Sequence, residues 1–172
     1  YISFEPLGII LSVMPWNFPF WQVFRFAVPT LIAGNVTILK HAPSVPQCAL
    51  AIEELFTEAG LPSGIFRNYF LSNEDAGKLI ADDRIKGVSF TGSDTTGSAL
   101  AEQAGRGIKK CVMELGGNDA FIVLEDADLD FTAAGAVKSR SINTGQSCNA
   151  AKRFIVMESV AVAFTKKLVE AV

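Results

Sequence analysis

Histidine and cysteine are scarce in this chain of 172 residues, which contains one histidine and three cysteines. The cysteines are too few and too widely separated for a disulfide framework, and no CxxC pair or group of histidines predicts a metal site. The neighbours of His41, the only histidine, do not favour a Ser-His or Cys-His hydrolytic pair. We therefore expect His41 to be structural or solvent-exposed.

Long runs of like residues are also absent. The net charge is -3 and no long Lys/Arg run occurs, so we expect no nucleic-acid partner and no basic membrane-binding surface. No stretch reaches the ~18 uninterrupted apolar residues of a membrane span, because Arg25 interrupts the longest candidate, and the first residues lack the basic start of a signal peptide. These absences predict a cytoplasmic protein.

The chain is instead rich in apolar residues. Hydrophobic residues make up 49% of it and charged residues 19%, a balance that favours strands covered on both faces. Apolar runs of strand length alternate with longer stretches at helical spacing, which predicts a mostly parallel α/β sheet flanked by helices. The predicted strands are Gly8–Met14, Asn35–Leu39, Ile65–Phe70, Gly87–Phe90, Lys110–Glu114 and Ala120–Val123. The predicted helices are Trp21–Ala33, Val45–Ala59, Glu74–Ala81, Thr95–Ala104, Leu129–Asn143 and Ser159–Val172.

The glycine pair Gly116-Gly117 ends a predicted strand, and a new strand-helix pattern begins after it. Such a break predicts a domain boundary, with residues 1–116 before it and residues 117–172 after it. The closing helix has apolar residues at every fourth position and no stop signal, and the first five residues already have the pattern of a strand. We therefore expect a segment of a longer protein.

Cofactor-binding motifs are incomplete, since no GxGxxG follows the first strand. Gly92 and Ser93 stand between a predicted strand and a helix, where backbone N-H groups can hold a pyrophosphate; plain tight connections have the same pattern. Lys40 ends the second strand and can bond ribose hydroxyls, or it can be a solvated lysine. No acid occurs among His41–Ser44, so repulsion does not exclude a 2'-phosphate, and both NAD and NADP stay open.

Two further polar side chains stand at predicted strand ends. Asn17 lies in Pro15–Pro19, a rigid and bulky loop from which an amide can donate to a developing oxyanion; core packing is the alternative. Glu114 precedes a glycine pair, in a place where a carboxylate can act as a base through water. A capping or salt-bridging glutamate is the alternative for Glu114.

Cys148 is the best nucleophile candidate among the three cysteines. It ends the polar, glycine-containing segment Asn143–Cys148, whereas Cys48 and Cys111 lie in more apolar sequence. A loop lined with N-H donors favours the thiolate, which is the reactive form of cysteine. An inert loop cysteine is the alternative.

Five of these segments, in the same order and with similar spacing, resemble the aldehyde dehydrogenase superfamily. They are Pro15–Pro19, Lys40, Phe90–Ser93, Glu114–Gly117 and Gly145–Cys148. The resemblance covers essentially the whole chain but only the middle of the family's longer polypeptide. It implies most of a variant Rossmann-like cofactor-binding domain in residues 1–116 and the start of a second α/β catalytic domain in residues 117–172. It also implies a homo-oligomer when the protein is full length.

The resemblance implies a role for each candidate residue. Cys148 attacks the aldehyde, and the oxyanion of the thiohemiacetal is held by the Asn17 amide and the Cys148 backbone N-H. Hydride passes to the nicotinamide of NAD or NADP, and Glu114 activates the water that hydrolyses the thioester. The residues implied to contact the cofactor are Trp16, Lys40, Gly92 and Ser93.

Within the superfamily, Trp16–Pro29 and Lys40–Pro43 are most similar to the bacterial succinate-semialdehyde dehydrogenases. Arg25 aligns with an arginine that binds the substrate carboxylate in those relatives, and a lone charge in an apolar run needs a partner. A structural ion pair with an unidentified acid is the alternative.

Two departures weaken the substrate assignment or limit the chemistry. Ile142 stands where some of these relatives have a second carboxylate-binding arginine, and Arg140 is nearby but out of register. Ala150 stands where certain relatives have a second cysteine, so the redox disulfide of those relatives cannot form. The alternatives are therefore a dehydrogenase of another small aldehyde, an acylating aldehyde dehydrogenase, or a nucleotide-binding fragment without catalysis.

Overall fold

The computed structural model describes residues 1–172, which divide into the units Tyr1–Leu115 and Gly116–Val172. The first unit contains a five-stranded parallel sheet with helices between its strands. Its strands are β1 (Ile9–Met14), β2 (Val36–His41), β3 (Phe66–Asn68), β4 (Ile85–Thr91) and β5 (Lys110–Glu114). Its helices are α1 (Pro19–Ile32), α2 (Pro46–Glu58), α3 (Asn73–Ala81) and α4 (Asp94–Arg106). The predicted parallel α/β sheet flanked by helices is confirmed.

The strand order of this sheet is β3-β2-β1-β4-β5. Successive strands extend the sheet in one direction as far as β3, and β4 then pairs on the other side of β1. Such a reversal creates a crevice at the carboxyl ends of the strands, which is where open α/β sheets bind their ligands. Met14 pairs with His41, and Thr91 pairs with Glu114, so the strands end at one edge of the sheet.

The central strands β1, β2 and β4 are mostly buried, as their apolar residues predict, whereas β5 is exposed. On one face, β1 and β4 pack against α3 and α4 through Leu11, Val13, Ile80, Ile85, Val88, Phe90, Leu100 and Ala104. On the other face, the ends of β1 and β2 pack against α1 and α2 through Met14, Val23, Ala27, Leu39, Ala49, Ile52, Phe56 and Phe66. Two cores therefore hold the strand ends that carry the candidate residues.

The second unit contains a two-stranded parallel sheet and two helices. Its elements are β6 (Ala120–Val123), α5 (Leu129–Ser141), a short 3-10 helix (Ile142–Gly145), β7 (Arg153–Val156) and α6 (Glu158–Ala171). Its core consists of Val123, Ala133, Ala136 and Phe164. None of the helices in either unit is long and apolar enough to cross a membrane.

Several predicted boundaries differ from the observed ones. β7 was not predicted, because its apolar run Phe154–Val156 is short and only Met157 separates it from α6. The first five residues form no strand. α5 ends two residues before the predicted Asn143, whose φ of 48° leaves the right-handed helical region. β3 is shorter than predicted, because it pairs only with the Thr37–Leu39 part of β2.

Candidate functional site

The candidate residues of the first unit lie at the carboxyl ends of its strands. β1 leads into the loop with Trp16 and Asn17, β2 contains Lys40 next to its last residue, and β5 ends at Glu114. Gly92 and Ser93 connect β4 to α4. Because these strands are parallel and adjacent, their ends share one edge of the sheet. The structure therefore brings these six predicted residues to one edge of the sheet, whereas Arg25 lies within α1.

His41 fixes the loop that contains Trp16 and Asn17. Its ring is 6% exposed, and its Nδ1 accepts a hydrogen bond from the Ala42 N-H at 2.9 Å. Nε2 lies 3.0 Å from the Pro19 carbonyl oxygen and donates to it in the tautomer that leaves Nδ1 as the acceptor for Ala42. The Nδ1 atom is also 3.2 Å from the Met14 carbonyl oxygen, so backbone groups of Met14, Pro19 and Ala42 surround the ring. Burial lowers the pKa of His41 below its ordinary value and keeps the ring neutral. Of the two predicted settings for His41, the structure shows the buried, structural one.

Lys40 is buried rather than solvated, since only 7% of it is exposed. Burial lowers the pKa of its ammonium, and no carboxylate forms an ion pair with it. A buried cation without an anionic partner is unfavourable unless a ligand supplies oxygen atoms. At this edge of the sheet, that donor chemistry fits the hydroxyl oxygens of a nucleotide ribose.

The small residues Gly92 and Ser93, which connect β4 to α4, are explained by local packing and helix capping. The Ser93 hydroxyl caps α4 by accepting a hydrogen bond from the Thr96 N-H at 3.3 Å. A Cβ at Gly92 would lie 2.4 Å from the Phe90 ring, and a Cβ at Gly97 would lie 2.6 Å from the Leu115 side chain. Packing within the unit therefore requires both glycines, and a role for Gly92 and Ser93 in cofactor binding stays a prediction.

Arg25 faces Glu114. The acid that could pair with Arg25, which the sequence did not identify, is therefore the candidate base. The Arg25 Nη2 and Glu114 Oε2 atoms are 3.7 Å apart, and the side chains are 40% and 51% exposed. Both line a groove of about 290 Å³, whose other lining residues are Met14, Gln22, Phe26, Pro29, Thr30, Ser89, Thr91 and Val112. An ion pair this long and this exposed contributes little to stability. Arg25 therefore remains accessible to a second carboxylate.

The segment before Cys148 has an unusual backbone. Asn143, Thr144 and Gly145 all have positive φ, at 48°, 59° and 79°. Positive φ is strained for the β-branched Thr144, and such strain is often found at functional sites. The Arg140 guanidinium donates to the Gly145 carbonyl at 3.4 Å, so Arg140 helps to hold the backbone of this turn.

Cys148 follows this turn in an exposed position. The other exposed cysteine, Cys111, lies in β5, where its thiol donates weakly to the Lys109 carbonyl. Partial burial raises the pKa of the Cys111 thiol, which disfavours its reactive thiolate form. Cys48 is partly covered in α2. These settings leave Cys148 as the best nucleophile candidate.

Sequence reasoning did not single out Lys152, whose ammonium folds back onto the Cys148 loop. Its Nζ donates to the Cys148 carbonyl at 2.5 Å and to the Ser147 and Ala150 carbonyls at 3.4 Å. The only sequence signal is a cation four residues after the cysteine, which is too common a feature to predict these contacts. Gln22 was also missed; it is buried in the Arg25 groove, and its Oε1 has no partner.

Comparisons with known proteins are consistent with this arrangement. The model of the Aldehyde dehydrogenase family matches residues 1–172. The chain is 58% identical over 171 residues to a Synechocystis sp. protein named "Probable succinate-semialdehyde dehydrogenase" with NADP(+) as its stated cofactor, and this match covers 99% of the chain and 38% of that protein. It is 52% identical over 170 residues to the succinate semialdehyde dehydrogenase Sad of Escherichia coli, covering 99% of the chain and 37% of that protein.

A solved structure agrees with the fold. The succinic semialdehyde dehydrogenase of Streptococcus pyogenes, solved in complex with NADP+, superposes with a TM-score of 0.94 at 44% identity, over 97% of this chain and 37% of that one. The chain thus spans somewhat more than a third of the length of the relatives that it matches. Because the family match covers every residue, the chain belongs to the aldehyde dehydrogenase family.

Proposed function

We propose that the full-length protein oxidises succinate semialdehyde to succinate with NAD or NADP as the hydride acceptor. The observation that carries the substrate assignment is Arg25, an accessible cation held only by a long ion pair in a groove beside Glu114. An arginine binds a carboxylate through two parallel hydrogen bonds, so it suits an aldehyde with a carboxylate at its other end. The similar bacterial proteins are named as succinate-semialdehyde dehydrogenases, which supports the same substrate.

The residues at the carboxyl edge fit a nicotinamide dinucleotide. Lys40 has a buried ammonium without an anionic partner, and Trp16 offers a half-exposed aromatic ring at the end of β1. We assign Lys40 to the ribose hydroxyls and Trp16, Gly92 and Ser93 to further cofactor contacts. A dinucleotide held by these residues would supply the acceptor for the hydride that leaves the aldehyde carbon. No acid lies among His41–Ser44 to repel a 2'-phosphate, so the site is compatible with NADP as well as with NAD.

In this proposal Cys148 is the nucleophile. Its sulfur bonds to the aldehyde carbon, and the carbonyl oxygen becomes an oxyanion that the Asn17 amide and the Cys148 N-H stabilise. After hydride loss the substrate is a thioester on Cys148. Glu114 takes a proton from water, the water oxygen attacks, and the carbon-sulfur bond breaks to release the acid and the thiolate. One water is consumed for each aldehyde oxidised.

We further propose that residues 1–116 form part of the cofactor-binding domain and residues 117–172 the beginning of the catalytic domain. The conserved fold of the family and the separation of the two units after Leu115 support this assignment. We also propose that the full-length protein is a cytoplasmic homo-oligomer, on the basis of the family resemblance alone.

The test is steady-state NAD(P)H formation by the full-length protein with succinate semialdehyde and with propanal. Arg25→Ala should raise KM for the charged aldehyde by roughly 10- to 100-fold, the equivalent of one charge-assisted contact, and should leave propanal oxidation nearly unchanged. Arg84→Ala is the matched control, because Arg84 is an exposed, ion-paired arginine that precedes β4 at the opposite edge of the sheet.

Two other results would overturn the proposal at different levels. An equal effect of Arg25→Ala on both aldehydes would rule out succinate semialdehyde as the specific substrate. It would leave the proposed oxidation of aldehydes intact. Product formation that depends on coenzyme A would indicate an acylating enzyme, in which the thioester is transferred and not hydrolysed.

A further inference from the structure

All hydrogen bonds of the Lys152 ammonium are made to the loop that contains Cys148. Its three acceptors are the carbonyl oxygens of Ser147, Cys148 and Ala150, and no carboxylate forms an ion pair with it. Three carbonyl dipoles converging on one cation hold their peptide planes in a single arrangement, because each carbonyl oxygen is attracted to the same point. Lys152 therefore fixes the backbone on both sides of the cysteine.

The contact with Ser147 bears on where the Cys148 N-H points, together with the Ala150 N-H, which donates to the same carbonyl at 3.2 Å. The Ser147 carbonyl and the Cys148 N-H belong to one peptide group, and the chain has no cis peptide bonds. In a trans peptide the C=O and N-H bonds point in opposite directions. An ammonium on the oxygen side therefore directs the N-H to the other side and also polarises it as a donor.

The position of Lys152 is itself fixed. The N-H groups of Lys152 and Arg153 both donate to the Asp119 carbonyl, at 3.0 and 3.1 Å, and the Arg153 Nε donates to the Asn118 carbonyl at 2.9 Å. A Cβ at Gly117 would lie 3.1 Å from the Cys148 oxygen. The Cys148 carbonyl oxygen thus lies close to both the Gly117 backbone and the Lys152 ammonium.

We infer that Lys152 is a positioning residue that aims the Cys148 backbone N-H at the oxyanion formed when the cysteine attacks a carbonyl carbon. The inference rests on the proposed function, in which Cys148 is the nucleophile. The inference predicts different effects on two kinds of reaction at Cys148. Attack on a carbonyl creates an oxyanion and needs the oriented N-H, whereas attack on a saturated carbon creates none.

The test compares two reagents on Cys148 in the full-length protein. With p-nitrophenyl acetate, a bond forms between the Cys148 sulfur and the acyl carbon, p-nitrophenolate leaves, and the thiol proton goes to solvent. With iodoacetamide, the sulfur bonds to a saturated carbon and iodide leaves. Peptide mass spectrometry assigns both products to Cys148, and Cys148→Ser provides the blank.

Lys152→Met should slow acylation by p-nitrophenyl acetate about tenfold or more, given that losing one oxyanion donor outright slows reactions by about 100- to 1000-fold. Alkylation by iodoacetamide should change less than about twofold, since it needs no oxyanion donor. Lys152→Arg, which keeps a cation, should recover most of the acylation rate. Lys166→Met, a change at an exposed lysine of α6, is the control for a lost surface charge.

Two outcomes would overturn the inference while leaving the proposed function intact. One is an acylation rate in Lys152→Met equal to that of the wild type. The other is an equal loss of acylation and alkylation, which would mean that Lys152 only supports folding or thiol access. A wild-type protein whose Cys148 is alkylated but never acylated would overturn both this inference and the proposed function.

Discussion

Replacing His41 with alanine should destabilise the loop that carries Trp16 and Asn17. The substitution removes the hydrogen bond to the Pro19 carbonyl and the acceptor for the Ala42 N-H. Each such bond contributes ~1 kcal/mol, and an N-H left without an acceptor adds a penalty of similar size. We therefore expect His41→Ala to lower the free energy of unfolding by ~3 kcal/mol, which places it among the larger single-residue effects.

The same contacts predict how the effect depends on pH. Burial lowers the pKa of His41 in the folded state, and the nearby charge of Lys40 acts in the same direction. An unfolded histidine titrates near pH ~6.5. The contribution of neutral His41 is therefore fully present above that pH and is lost as the pH falls through the folded-state pKa. The slope in this window is up to ~1.4 kcal/mol per pH unit.

Urea unfolding of the full-length wild type and of His41→Asn at pH 8 and pH 5 measures this contribution. Asparagine keeps an acceptor beside the Ala42 N-H but does not titrate, so the stability difference between the two proteins should shrink on acidification. Amide exchange at Ala42 should accelerate in His41→Ala and change little in His41→Asn. A stability difference that is independent of pH, or unchanged exchange at Ala42 in His41→Ala, would refute the reasoning.

Two further predictions concern the candidate site. Glu114→Gln should keep a rapid burst of about one NAD(P)H per active site while steady-state turnover falls by about 100-fold or more, because the amide cannot take a proton from water. Stopped-flow absorbance measures both phases. An unchanged steady-state rate would exclude Glu114 as the base. Lys40→Met should raise KM for NAD(P) by roughly tenfold and leave the melting temperature equal or higher, because it removes a buried cation without an anionic partner. A lower melting temperature with an unchanged KM would mean that Lys40 stabilises the fold and does not bind the cofactor.

The sheet and the edge that carries the candidate residues were predictable from local patterns. Apolar runs such as the one in β1 cannot be exposed on either face, so they predict a sheet covered by helices. Once the strands are parallel, residues such as Lys40 and Glu114 that follow them must gather at one edge. By contrast, β7 was missed although Phe154–Val156 is apolar, because the run is short and α6 begins two residues after it with no turn signal between them.

Contacts between distant parts of the chain were not predictable, because they depend on how the elements pack. The sequence shows a charge at Arg25 without a neighbouring acid, and only the fold, which places α1 and the end of β5 along one groove, identifies Glu114 as its partner. Position alone made Lys40 equally compatible with a solvated side chain, which its burial excludes. The carbonyl contacts of Lys152 depend on loop geometry that residue types do not encode.

The pairing of Arg25 with Glu114 also changes how the two explanations for Arg25 relate. If the ion pair were buried, Arg25 could not both hold it and bind the substrate carboxylate, because losing one member of a buried pair leaves an uncompensated charge. The observed pair is not of that kind, since its atoms are 3.7 Å apart and both side chains are about half-exposed. Water can replace either partner at little cost in free energy. A carboxylate entering the groove can therefore bind Arg25 in place of Glu114, which leaves the Glu114 carboxylate able to accept a proton from water, so one arginine can serve in both ways.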